Sequence, residues 1–126
     1  MITLTFEEFS RININARRSC IYQQVAGDGS AGGSCFYTTE DAIIASEGSA
    51  EKLNNGLQRW EHPLYGPRNK IAMFQIIANF PSATSPALAN PDVNEGAAFG
   101  GYMQIFAKEE DAAIGLKPVG FIILSK

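Results

Sequence analysis

Apolar positions near the start of the chain follow a helical spacing, and a helix start signal precedes them. Thr5 can cap a helix and Glu8 lies three residues later, which is the capping-box arrangement. Phe6 and Phe9 then fall on one face of a helix. Apolar residues also alternate over the first six positions, and alternation favours a strand. We predict a short lead-in followed by a helix over about 6–17.

The pattern then changes to strands. Residues 20–25 and 34–38 are rich in aromatic and branched side chains, which are typical of paired strands. The glycine-rich stretch 26–33 between them suits a hairpin tip. It lacks the lysine and hydroxyl spacing of a phosphate-binding loop. Cys20 and Cys35 fall in these strands, and we expect them to be small buried apolar residues rather than reactive thiols. The sequence leaves open whether they lie close together.

Two helix starts follow the predicted hairpin. Thr38 or Thr39 can begin a second helix, because acidic residues occupy its first turn. Ser49 can cap a third helix over about 50–60. Its apolar residues recur at a spacing of one helical turn, so they predict a buried stripe. That stripe consists of Leu53, Leu57 and Trp60.

The second half of the chain is rich in strands. Residues 71–80 and 102–107 read as strands, and 108–115 reads as a short helix. The terminal segment 119–126 is apolar on both faces, which favours a central strand. Residues 81–101 hold three prolines and no periodicity, so we expect a long loop that acts as a lid, an arm to a neighbouring subunit, or a mobile segment.

Together these elements predict an α+β fold in a single domain spanning 1–126. We expect a mainly antiparallel sheet of about 4–5 strands, with two to four short helices packed on one face. The order of strands in that sheet does not follow from local patterns.

Composition narrows the class of protein. The apolar share of 45% suits a globular domain, and the net charge of −3 argues against nucleic-acid binding. No apolar run approaches the ~20 residues that span a bilayer, so we expect no membrane association. The amino terminus lacks the features of a signal peptide, which favours a cytoplasmic location. One histidine and two distant cysteines make a poor metal set, and we expect neither metal nor cofactor.

Polar and aromatic side chains concentrate in residues 59–68. Arg59 and Arg68 could hold a carboxylate or phosphate, because a guanidinium matches the planar geometry of those groups. His62 titrates near neutral pH and could act as an acid or base, and Tyr65 could donate a hydrogen bond. The alternative is a rigid crossover shaped by prolines, with His62 exposed. These four residues are the predicted ligand-binding site.

Motifs for catalysis are missing elsewhere. The chain has no G-x-S-x-G elbow, and its acidic clusters, such as 109–111, lie in first helical turns where the helix dipole favours acids. The favoured interpretation is therefore a small binding module rather than an enzyme, which self-associates as a homo-oligomer. One alternative is an enzyme or receptor for an anionic or aromatic metabolite that uses the 59–68 cluster. Another is an accessory or inhibitor protein that acts on another macromolecule.

Overall fold

A computed structural model describes residues 2–15, 20–25, 35–59, 64, 67–89 and 91–126. The seven strands are β1 (Ile2–Thr5), β2 (Cys20–Val25), β3 (Phe36–Thr38), β4 (Lys70–Ile76), β5 (Ala83–Pro86), β6 (Met103–Phe106) and β7 (Leu116–Ile123). The four α-helices are α1 (Phe6–Asn15), α2 (Glu40–Ala45), α3 (Ala50–Gly56) and α4 (Glu109–Gly115). A 3-10 turn spans Asn94–Gly96.

The strands form one mixed sheet in the order β1-β7-β4-β2-β3-β6-β5. β1 runs parallel to β7, and the other neighbours are antiparallel. The expected antiparallel sheet of 4–5 strands is therefore wrong. Two strands were missed. β1 lies in the lead-in before α1, and β5 lies inside the proline-rich segment 81–101.

Helices cover both faces of the sheet, so the expectation of helices on one face is also wrong. Ile21 and Tyr22 are consecutive in β2 and therefore point to opposite faces. Tyr22 packs in a large core beneath α1, α2 and α3, whereas Ile21 packs in a smaller core beneath α4. Counted over the described residues, the large core holds eleven buried residues and the small core five, so the α4 face is the less covered one in that part of the chain.

Capping side chains account for the starts of three helices. Thr5 and Glu8 form the predicted capping box, with the Glu8 amide donating to Thr5 Oγ1 at 3.3 Å and the Thr5 amide donating to Glu8 Oε2 at 3.2 Å. Thr39 accepts from the Ala42 amide. Ser49 accepts from the Lys52 amide, as its position in the sequence predicts. These bonds satisfy amides that a helix start leaves without partners.

The proline-rich segment lies on the edge of the sheet. β5 pairs antiparallel with β6, and the next residue, Ala87, donates its amide to the Tyr102 carbonyl at 2.8 Å. Gly100 has φ of +69° and approaches the backbone of Leu88, where an added Cβ would lie 2.5 Å from the carbonyl carbon. Part of the expected loop is thus a strand with its own ladder. Within the described ranges, no helix is long and apolar enough to cross a bilayer.

Candidate functional site

The sheet opens between β2 and β3. Among the described residues, β2 and β3 pair at one position, Tyr22 with Thr38, whereas β2 and β4 pair at six positions. Beyond that pair, the Gln23 side-chain amide donates to the Phe36 carbonyl at 3.4 Å. At this point a side-chain hydrogen bond connects the two strands in place of backbone hydrogen bonds. We call this opening the β2–β3 fork.

A cleft of about 380 Å³ lies at the β2–β3 fork, on the α4 face. Its volume falls within the usual range for small-molecule sites. Polar and apolar side chains both contribute to its walls, which is the composition expected of such a site. We call it the fork cleft. Its lining residues are Gln23, Cys35, Tyr37, Phe74, Ala107, Glu109, Ala112, Ala113, Leu116 and Pro118.

Local packing positions the walls of the fork cleft. Tyr37 and Phe74 meet edge to face, with ring centroids 5.6 Å apart. Phe80 packs against Gly115 so closely that a Cβ there would lie 2.1 Å from the ring. Only glycine permits that approach, so Phe80 packs directly on the last residue of α4. Glu109, in the first turn of the same helix, lines the cleft.

The Tyr37 phenol keeps its proton more strongly than usual. Burial raises the pKa of Tyr37 above its ordinary value of 10.0, and the nearby Cys35 and Glu109 raise it further. The cleft therefore holds a neutral hydroxyl at physiological pH. Such a hydroxyl can donate and accept a hydrogen bond.

This shift predicts a loss of stability in alkali. Because the folded-state pKa of Tyr37 lies above the unfolded value, its contribution is present below about pH 10 and is lost as the pH rises above that value. In an ultraviolet difference titration between the wild type and Tyr37→Phe, we expect a phenol that ionises above pH 10. Ionisation at or below the ordinary value would contradict the assignment.

A second, smaller cavity lies on the other side of the fork. Its volume is about 20 Å³, room for about one water molecule. Gln23 and Tyr37 line it as well as the fork cleft, so the two cavities adjoin at the fork. We call it the arginine pocket. Its other lining residues are Tyr22, Gln24, Phe36, Thr38, Leu57, Arg59 and Gln104.

Amide side chains hold both ends of the 59–68 segment. The Arg59 carbonyl accepts from Asn54 Nδ2 at 2.5 Å and from Asn94 Nδ2 at 2.7 Å. The Arg68 carbonyl accepts from Gln24 Nε2 at 3.2 Å. Asn54 and Gln24 are both 3% exposed. Since buried amides rarely give up such bonds, the backbone at both arginines is firmly placed.

The structure describes two of the four predicted site residues, Arg59 and Arg68. Arg59 is half-buried and lines the arginine pocket, whereas Arg68 is exposed. Burial lowers the pKa of Arg59, and the positive charge of Arg68 lowers it further. His62 and Tyr65 lie outside the described residues, as does Trp60. No observation tests the predicted set as a ligand site, and it stays a prediction.

Sequence reasoning missed Gln23, Tyr37 and Glu109. The available signal was a pair of polar residues, Gln23 and Gln24, in an otherwise apolar strand. The structure shows that both are buried. The position of Glu109 in a first helical turn is explained equally well by the helix dipole, so the sequence did not indicate a functional role for it.

Cys35 borders the fork cleft, whereas Cys20 packs on the large core of the opposite face, and both are free thiols. In the part of the chain that is described, no three potential ligands cluster to hold a metal ion.

Residues 6–109 match the family model of the Rhs1 C-terminal toxin domain. The chain belongs to this family. A solved structure of Rhs1-CT in complex with cognate immunity protein RhsI1 has the same fold, with a TM-score of 0.70. It is 24% identical, and the match covers 85% of this chain and 75% of that one. No curated protein matches the chain.

These matches correct three expectations from the sequence. A passive, self-associating binding module is wrong, because the family consists of toxin domains. The expected homo-oligomer is wrong as well, since the solved relative is bound to a different protein, its immunity protein. General ligand binding, the third expectation, is not supported as a description of a toxin domain. Local patterns contain no signal for toxicity, which depends on the target rather than on the fold.

Proposed function

We propose that this Rhs1-type domain is a toxin that acts enzymatically on a small molecule of the target cell, bound in the fork cleft. The observation that carries the proposal is the cleft itself, on the less covered face of the sheet. Family membership supports the toxic role. The sequence-based alternative of an enzyme for a small metabolite is thus retained, with the reaction moved to a different set of residues.

The charge around the fork cleft favours a small substrate over a nucleic acid. Glu109, Glu110 and Asp111 occupy the first turn of α4 beside the cleft. The whole chain carries a net charge of −3. A polyanion approaching this rim would meet negative charge, whereas nucleic-acid binding relies on cations that neutralise phosphates. The part of the substrate that enters the cleft is therefore proposed to be uncharged or cationic.

Four side chains of the fork cleft could each take a different role in binding and reaction. Glu109 supplies a carboxylate, which can take up a proton or stabilise a developing positive charge. Tyr37 supplies a protonated hydroxyl, and Gln23 an amide that is already oriented by its bond to Phe36. Phe74 adds an aromatic wall against which a ring can pack.

We further propose that a separate immunity protein neutralises the domain. The support is the relative of the same fold, whose structure contains its cognate immunity protein. A toxin that acts on a common metabolite needs such a partner in the cell that makes it. The cytoplasmic location expected from the sequence stays a prediction, and we take it as the place of action in the target cell.

Inducible production of the domain in a bacterial host tests the proposal. We expect growth arrest, with one class of small metabolite depleted before DNA or RNA is degraded. Metabolite profiles and nucleic-acid integrity would be followed together after induction. Normal growth would refute the toxic role. Rapid nucleic-acid cleavage by the purified domain would refute the small-molecule substrate.

A further inference from the structure

Two large apolar side chains are exposed in a stretch of chain that buries small ones instead. Between β5 and β6, Leu88 is 76% exposed and Phe99 is 49% exposed, whereas their neighbours Ala87 and Ala98 are 4% and 2% exposed. Burial of a leucine or phenylalanine side chain stabilises a fold more than burial of an alanine does. The isolated domain would therefore favour the opposite arrangement, which indicates that a partner covers Leu88 and Phe99.

The two stretches that carry these side chains lie against each other. The Gly101 amide donates to the Ala87 carbonyl at 2.6 Å. Gly100, which follows Phe99, approaches the Leu88 backbone so closely that no Cβ fits between them. Leu88 and Phe99 are thus presented from adjoining backbone, although ten residues separate them in the sequence.

The C-terminal end of α3 fixes both stretches in place. Gln58 Nε2 donates to the Leu88 carbonyl at 2.6 Å, and the Gly100 amide donates to the Asn55 carbonyl at 3.0 Å. Gly100 has a left-handed backbone, and its close approach excludes any larger residue. The exposure of Leu88 is therefore a property of a fixed backbone rather than of a loose loop.

Tyr102 joins Phe99 to the body of the domain. The Phe99 and Tyr102 rings meet edge to face, with centroids 5.6 Å apart, and the Tyr102 ring lies where a Cβ on Gly56 would overlap it. Tyr102 also packs against the large core, so this surface lies on the face opposite the fork cleft. We call Leu88, Phe99 and Tyr102 the anchor patch.

The charges around the anchor patch are mainly acidic. Residues 71–107 contain two charged side chains, Asp92 and Glu95, and both are acidic. Lys52 of the adjoining helix α3 is paired with Glu47 at 3.2 Å, so its charge is balanced. A nucleic acid or an anionic membrane would be repelled here, since both are attracted by basic surfaces. The complementary partner is a protein with an apolar pocket and a basic rim.

We infer that the anchor patch is the docking surface for the cognate immunity protein, which presents such a pocket and rim. Aromatic and aliphatic anchors on a rigid backbone bind well because little conformational freedom is lost. The inference rests on the proposed function in one respect, that an immunity protein neutralises this domain. The solved relative of the same fold is bound to such a protein. Because the patch and the fork cleft lie on opposite faces, substitutions can test them separately.

Growth rescue and calorimetry test the docking surface with a defined protein. The probe is the protein of the native host that restores growth when it is produced together with the wild-type domain. Leu88→Ser and Phe99→Ser are expected to stay as toxic as the wild type and to escape this rescue. In calorimetry with the purified probe, each should bind at least about tenfold more weakly, as loss of a central anchor does. Ile114→Ser is the matched control, since Ile114 is 67% exposed on α4 of the opposite face.

Each outcome decides the inference. Rescue and binding that fall in Leu88→Ser or Phe99→Ser, and are kept in Ile114→Ser, support it. An equal effect in all three variants, or a loss confined to Ile114→Ser, overturns it, and the latter would place the interface on the fork cleft face. Leu88 is 76% exposed, so Leu88→Ser should unfold at the wild-type temperature and stays informative even if Phe99→Ser fails to fold.

Failure of this inference is distinguishable from failure of the proposed function. If the wild type arrests growth and the probe rescues cells from Leu88→Ser and Phe99→Ser equally well, the docking surface is wrong and the proposed function stands. If the wild type does not arrest growth, the proposed toxic role fails. If the wild type is toxic but no host protein restores growth, the proposed immunity protein fails, and the docking surface fails with it.

Discussion

Replacing Glu109 with Gln is expected to lower the toxic activity by about 10²–10⁴-fold, the usual range for loss of a positioned acid or base. The change keeps the size of the side chain and removes its charge. Glu109 lines the fork cleft and is exposed to solvent, so the fold does not depend on it. We therefore expect the thermal unfolding midpoint to stay close to that of the wild type. The loss would be measured as survival after induction.

Glu110→Gln is the control for this experiment. Glu110 follows Glu109 in the same helical turn, is exposed, and does not line the fork cleft. Both changes remove one negative charge from the first turn of α4, so both alter the helix dipole interaction alike. Equal toxicity of the two variants would exclude Glu109 from the chemistry.

Replacing Ile43 with Ala is expected to cost about 2–5 kcal/mol of unfolding free energy, as large-to-small changes in cores do. Ile43 is 0% exposed and lies in the large core beneath α2. Truncation leaves a cavity among side chains that cannot all move to fill it. For a domain whose total stability is on the order of 5–15 kcal/mol, this is a large fraction. Urea denaturation followed by circular dichroism would measure the change.

The adjacent residue provides the matched variant. Ile44 has the same side chain in the same helix and is 45% exposed. Ile44→Ala should change the unfolding free energy by less than about 0.5 kcal/mol, because surface changes away from special features are small. If both variants lost the same stability, helix propensity rather than burial would govern α2.

Structural features that depend on a few neighbouring residues could be predicted from the sequence. The capping box of Thr5 and Glu8 and the Ser49 cap both appear where the spacing predicts them. The strands after α1 and the short helix before the terminal strand also follow their local patterns. These features depend on neighbouring residues alone, so periodicity and cap chemistry are sufficient to predict them.

The pairing of strands that lie far apart in the sequence could not be predicted from local patterns. β1 joins β7 in parallel from the opposite end of the chain, and no local pattern specifies that partner. β5 forms because β6 offers an edge to a proline-rich segment that shows no alternation of its own. Strand order depends on which surfaces can be buried together, and the chain reveals that only when it is folded.

The sequence by itself determined the local elements and drew attention to Arg59 and Arg68, since arginine chemistry is a property of the residue. Tertiary structure alone decided that buried amides position both arginines and that the sheet opens between β2 and β3. It also brought Gln23, Tyr37 and Glu109 to one cleft, although 86 residues separate the first from the last. The physical reason is that a site needs side chains to converge in space, and convergence follows from sheet topology rather than from local spacing.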